Sequence, residues 1–238
     1  MNRQAQAAVL FLLGASLLHA GTTDLYLRYV KTGLRPLLLL AAAVLITAAL
    51  ATAWYERKRT KEGPKGGGHH HEPRVAWLLI LPVLALILVA PPALGSYSAT
   101  RTGTALQEPL AYPNLPSGDP LPLSLVDYAG RAAYDHGRTL GDRRVRLTGF
   151  VALDRAGTPY LVRMALSCCA ADAQPVKVGL TGHIPPILQP DTWLEITGTY
   201  TARRTADPVN NGPIPFIEVT EAKPVPAPQD PYDESWNN

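Results

Sequence analysis

Apolar positions along this chain fall into two regimes. In the first hundred residues they run in unbroken blocks, roughly Ala5–Ala20, Pro36–Trp54 and Val75–Leu94, with His19 the only titratable side chain inside them. A helix rises 1.5 Å per residue, so about 20 apolar residues cross the ~30 Å hydrocarbon core. The second and third blocks reach that length and the first is slightly short. Three transmembrane helices are expected, at about 5–20, 36–54 and 75–94. In the second half no such block occurs, and short segments alternate apolar with polar residues between turn residues, which is the pattern of half-buried strands.

The alternating region opens with LSLVDYAGRAAYDHG, where Leu125, Ala129, Ala132, Ala133 and His136 share a helical spacing and Gly137 is a stop. RVRLTGFVAL follows, with Val145, Leu147 and Gly149 on one face and Arg144, Arg146 and Thr148 on the other. TPYLVRMALSCC, AQPVKVGLTG, TWLEITGTYTAR and IPFIEVTEAKPV complete five strands, each bounded by Gly, Pro, Asp or Asn. One helix before five short strands predicts a small β domain, an OB-like barrel. The expected organisation is a membrane anchor over 1–98, a Pro/Gly/Ser/Thr-rich tether over 99–122, the β domain over 123–223 and a flexible, Pro-rich acidic tail over 224–238.

Charge sets the expected orientation. The loop 55–74 carries Arg57, Lys58, Arg59, Lys61, Lys65 and Arg74 against Glu56, Glu62 and Glu72. The loop between the first two blocks holds the fewer cations Arg28, Lys31 and Arg35. The positive-inside rule then puts 55–74 and the N-terminus in the cytoplasm and the β domain outside, as a multi-pass protein of the cell membrane. Trp54, Tyr55 and Trp77 flank the same loop, where an aromatic belt would lie. A cleaved signal peptide is the alternative for the first block, but Leu18 stands where a small residue is wanted before Ala20. Cleavage would leave the domain on the same side. The net charge of +3 belongs to the anchor, and no basic stripe interleaved with aromatics is present, so nucleic acid is not an expected partner.

The only two cysteines, Cys168 and Cys169, are adjacent. Neighbouring Cα atoms lie about 3.8 Å apart, short of the roughly 4.4–6.8 Å of ordinary disulfides. On a strand their side chains would part, Cys168 joining Met164 and Leu166 in the core and Cys169 facing out beside Arg163. An outward thiol near that guanidinium would have a lowered pKa and raised reactivity. The bland reading makes Cys168 a small core residue and Cys169 incidental. The sharper ones are a ligand or divalent-metal site with Asp172 or His183, although the spacing matches no paired zinc pattern. His69, His70 and His71 form a second candidate metal tract in the cytoplasmic loop. No hydrolase, phosphate-loop or dinucleotide motif is found, so no enzymatic activity is expected. Asp127, Asp135, His136 and Asp142 read as solvated helix and turn residues.

The order of LLHAG at the end of the first block, a second helix, a His-bearing loop and a third helix precedes GDRRVRLTGFV (141–151), YLVRMALSCCAADAQPVKV (160–178) and DTWLEITGTY (191–200). With its CCAADAQP segment (168–175), this chain resembles the YcgQ-like family, uncharacterised bacterial membrane proteins assigned as permease subunits. The resemblance implies a polytopic permease as partner and, in some members, metal-related systems. It makes Cys168, Cys169 and Asp172 the signature of the exported domain, with His19 and Gly21 in the first-helix motif. The expected function is an integral membrane accessory subunit of a transport system, whose exported domain contacts the permease or a ligand. The alternative is a membrane-anchored thiol redox or metal-binding protein acting through Cys168 and Cys169.

Overall fold

The structure, a computed structural model, describes residues 3–61, 81, 84–85, 88–89, 92–186 and 188–234. His69, His70 and His71 lie outside the described residues, as does most of the third apolar block. The chain divides into two units, Met1–Tyr26 with Thr32–Pro92, and Leu27–Lys31 with Ala93–Asn238.

The first unit contains α1 (Arg3–Thr22) and α2 (Arg35–Lys61), both long and apolar enough to cross a membrane. They run antiparallel, because Gly14 of α1 faces Ala42 and Ile46 of α2 while Gly21 faces Leu38 and Leu39. In lipid, helices gain little from burying one apolar surface on another, and close packing over small residues takes its place. The seam here is built that way, with Ala5, Gly14, Gly21, Ala42 and Ala49 all buried. A Cβ added at Gly14 would lie 2.8 Å from Ile46 Cγ1 and 3.1 Å from Ile46 N. At the loop end, Arg35 Nε donates to the Gly21 carbonyl at 2.9 Å. That bond closes the hairpin, where α2 packs so near that a Cβ at Gly21 would lie 2.7 Å from Leu38 Cδ2 and 2.8 Å from Leu39 Cδ2.

The second unit is built on a closed barrel of β2 (Val145–Leu153), β3 (Pro159–Leu166), β4 (Gln174–Gly182), β5 (Trp193–Ala206) and β6 (Pro213–Pro224). Around it the order is β2-β3-β4-β6-β5 and back to β2, with β4 and β6 parallel and the other pairs antiparallel. Closure depends on β2 serving two neighbours. Its first part, Val145–Phe150, pairs with β5 and its last part, Phe150–Leu153, with β3. The changeover falls at Phe150, which pairs with both Trp193 and Val162; at the preceding Gly149 a Cβ would come within 2.7 Å of the Val162 carbonyl oxygen.

The helix expected before the strands is α4 (Leu125–Ala133); a shorter α3 (Ser96–Arg101) precedes it. Ser124 Oγ caps α4 by accepting the Asp127 N–H at 3.0 Å. Leu125, Tyr128, Ala129 and Ala132 then pack with Leu147, Leu161, Val178, Ile196 and Ile217 in the barrel core. Tyr128 is buried whole and its hydroxyl donates to the Phe216 carbonyl at 2.8 Å. Burying a phenol without such a partner would cost about 1–3 kcal/mol.

Two stretches differ from the expected tether and tail. The segment 99–122 is laid against the barrel: Leu106 and Leu121 are buried, Ala105 N–H donates to the Pro175 carbonyl, and β1 (Leu121–Pro122) pairs parallel with β2. Within 224–238, β7 (Tyr232–Glu234) pairs parallel with β3 beyond the point where β2 leaves it. Composition marks both stretches as loop because prolines interrupt any period. Single apolar side chains, Leu106, Leu121 and Tyr232, nevertheless dock them.

Candidate functional site

The strand alternation of β3 stops at Leu166, and residues 167–173 form the turn into β4. One side chain shapes that turn. Asp172 Oδ1 accepts the Ser167 N–H at 3.0 Å, and its Oδ2 accepts the N–H of Cys168 at 2.9 Å and of Cys169 at 3.4 Å. Asp172 N–H in turn donates to the Cys169 carbonyl at 3.0 Å. An aspartate capping backbone amides of its own turn is the usual way such a residue competes with regular structure.

This geometry overturns the expected parting of the two thiols. Because the cysteines sit past the strand, period two no longer applies. Cys168 is exposed and Cys169 half-buried, and Cys168 Sγ lies 3.6 Å from Cys169 Sγ. Both cysteines are free. Donor atoms of Cys168, Cys169 and Asp172 all lie within 4.8 Å of one another. Two thiolates bound at about 2.3 Å to a tetrahedral ion are about 3.8 Å apart. The observed sulfur separation is therefore close to that of a metal-ready pair.

The activation expected of Cys169 rested on Arg163, whose guanidinium is engaged instead by Asp233, Asp230 and Tyr232. A hydrogen bond to Asp172, with a second to Cys169, pushes the Cys168 thiol up to about 12. Burial acts to raise the Asp172 carboxyl, but hydrogen bonds from the Cys168 thiol and three backbone amides outweigh it and hold the group below the usual carboxylate range. At neutral pH the site therefore pairs a protonated Cys168 with an ionised carboxylate. Arg163, the expected activator, is buried elsewhere. Its Nε binds Asp233 Oδ1 at 3.0 Å, and its Nη2 donates to the carbonyls of Asp230 and Tyr232 at 3.2 and 3.0 Å. Asp233 also accepts the Leu125 N–H at 3.1 Å, so Arg163 ties β3, β7 and the start of α4 together.

Of the other candidates, His183 is exposed at the end of β4 and is not in the three-residue cluster. His19 is exposed near the end of α1, where its carbonyl accepts from Thr22 and Thr23. The structure adds a component that sequence reasoning missed. Val30 forms an antiparallel bridge with Cys169, in which Ala170 N–H donates to the Tyr29 carbonyl at 2.7 Å and Lys31 N–H to the Cys168 carbonyl at 3.1 Å. Lys31 Nζ meets Glu234 at 2.9 Å, and Tyr232 Oη donates to the Arg28 carbonyl at 3.0 Å. The only sequence signal for this strap is the run YLRYV (26–30), which is more apolar than a connecting loop requires.

Residues 131–233 match the family model described as the DUF1980 C-terminal domain. The match takes in the end of α4, the five barrel strands, the dithiol turn and most of β7. It supports an uncharacterised family of the type the sequence resembles. No curated protein and no solved structure matches the chain.

Proposed function

We propose that this chain is a membrane-anchored metal-binding protein, in which the turn between β3 and β4 holds a soft or borderline cation through Cys168, Cys169 and Asp172. The observation that carries this reading is the 3.6 Å separation of the two sulfurs, with a carboxylate beside them. Two thiolates and one carboxylate suit zinc or a similar ion and leave a coordination position open for water or an incoming ligand. A redox role is less well supported, because a thiol raised to about 12 is a poor nucleophile at neutral pH. A bound cation changes this, since the metal displaces the thiol protons.

The reading extends to an accessory subunit. Neither α1 nor α2 carries a titratable side chain near its middle or is broken within its span, so a path for an ion needs a polytopic permease as partner. The strand order, with β4 and β6 parallel, supports an OB-like barrel as the platform presented to that partner. The strap also supports the expected orientation. Tyr29–Lys31 lie between α1 and α2 in sequence and bond to the dithiol turn, in keeping with a reading in which both face the outer side. That reading calls for a further crossing after α2, for which the apolar sequence 75–94 has the length.

The test is equilibrium dialysis of the full-length protein in mild detergent against zinc, with cobalt as a spectroscopic substitute. One ion per chain and a sulfur-to-cobalt charge-transfer band, both lost in C168S/C169S, are expected. Equal zinc uptake by that variant would sink the reading. Affinity purification from native membranes checks the subunit role separately, and recovery of the chain without a polytopic protein would remove it.

A further inference from the structure

Away from the dithiol turn, a cleft of about 450 Å³ is lined by Ala132, His136, Tyr200, Ala202, Arg203 and Arg204. We propose that this cleft binds a phosphate-bearing ligand. Its volume falls within the range of about 300–1,000 Å³ typical of small-molecule sites. Its polar lining consists of two guanidinium groups, an imidazole and a phenol, with no carboxylate among them. That set recognises an oxyanion, since a guanidinium fork matches two oxygens of one phosphate.

The backbone on both sides is irregular in ways that aim these side chains. On β5 the ladder to β6 shifts, Tyr200 pairing with Ile217 but Arg204 with Pro215, so residues 201–203 stand opposite Phe216 alone. Bulges of this kind redirect side chains and concentrate beside functional sites. Across the cleft, α4 ends and His136 and Gly137 follow with φ of 52° and 71°. Gly137 is required there: a Cβ would fall 2.5 Å from the Tyr200 ring. The two elements are thus pressed together at the base of the cleft, with His136 and the arginines around it.

The arginines are also uncommitted. In the same domain Arg131, Arg144 and Arg163 each bind a carboxylate, at 2.6, 2.9 and 3.0 Å. Among the described residues, neither Arg203 nor Arg204 is in an ion pair. Arg203 instead stacks on Phe216, 4.4 Å from the ring centroid, which holds its guanidinium in place without neutralising it.

The full-length protein in zwitterionic detergent is titrated with inorganic pyrophosphate and followed by calorimetry, with and without phosphatidylglycerol or phosphatidylcholine in the micelle. We expect saturable binding that weakens by roughly tenfold or more in R204Q and in R203Q/R204Q, as loss of a charge-assisted hydrogen bond implies. R204Q leaves the Phe216 stack intact, and unchanged thermal unfolding of both variants shows that they fold. C168S/C169S should bind as wild type, which separates this site from the metal reading. Competition by phosphatidylglycerol but not phosphatidylcholine would name a lipid headgroup as the ligand's source. Its absence would name a soluble phosphate. No saturable pyrophosphate binding, or binding within about twofold of wild type in R203Q/R204Q, would overturn the proposal.

Discussion

The Asp172 carboxylate accepts the Cys168 amide hydrogen at 2.9 Å and also keeps the Cys168 thiol protonated. One side chain therefore folds the turn and masks its nucleophile. In a C169S background, Asp172→Asn should let the Cys168 thiol fall toward its ordinary value near 8.5 and raise alkylation by iodoacetamide at pH 8 about tenfold or more. An unchanged alkylation rate would show that the carboxylate does not control the thiol.

Asp172 also links the turn to acidity. Its folded pKa is depressed, so its contribution is fully present above the unfolded value of about 3.9 and is lost as pH falls through the lower folded value. Acid unfolding of the wild type should show this component, and D172N should lack it. Superimposable acid profiles would contradict the hydrogen-bond geometry.

Metal uptake should run the opposite way to proton uptake. Because Cys168 holds its proton up to about 12, loading must release it, and apparent affinity should rise about tenfold per pH unit for each thiol proton displaced. Competition with a chelator between pH 6 and 8 measures the slope. A flat profile would exclude thiolate ligation.

In the barrel, Lys177 Nζ meets Asp207 Oδ2 at 2.7 Å, with both side chains buried. The same carboxylate accepts the Thr104 N–H at 2.9 Å, and Lys177 donates to the Thr102 carbonyl at 2.9 Å. This pair locks the segment after α3 onto β4 and β5. Lys177→Met leaves a buried aspartate without its cation and should cost about 3–5 kcal/mol in denaturant unfolding. The double variant K177M/D207L should recover part of that loss. Equal losses in both would mean that the pair matters only for packing.

The hairpin seam is tested at Gly14. Gly14→Leu has no room against Ile46 and should destabilise the α1–α2 pair by about 1–3 kcal/mol, read as a lower melting temperature in detergent. Gly33, where an added Cβ meets nothing within 4 Å, is the control position and Gly33→Ala should leave the melting temperature unchanged.

Sequence alone determined the division into apolar helices and a small β domain, because hydrophobic period is a local property and survives without knowledge of neighbours. Val145 and Leu147 face inward and Arg146 outward as alternation requires, and the helix from Leu125 stops before Gly137. Cys168, Cys169 and Asp172 were legible as a group, but their geometry was not. Alternation could not say that β3 ends at Leu166, after which Asp172 gathers three amides and turns both sulfurs to one side. The strap from Tyr29 to Lys31, the pairing of β7 with β3, and the cleft between His136 and Arg204 join residues far apart in sequence. Such contacts depend on barrel closure and on β2 changing partners at Phe150, and no local pattern encodes them. Only the tertiary structure decided them, because a hydrogen bond or an ion pair forms wherever the fold brings its partners together.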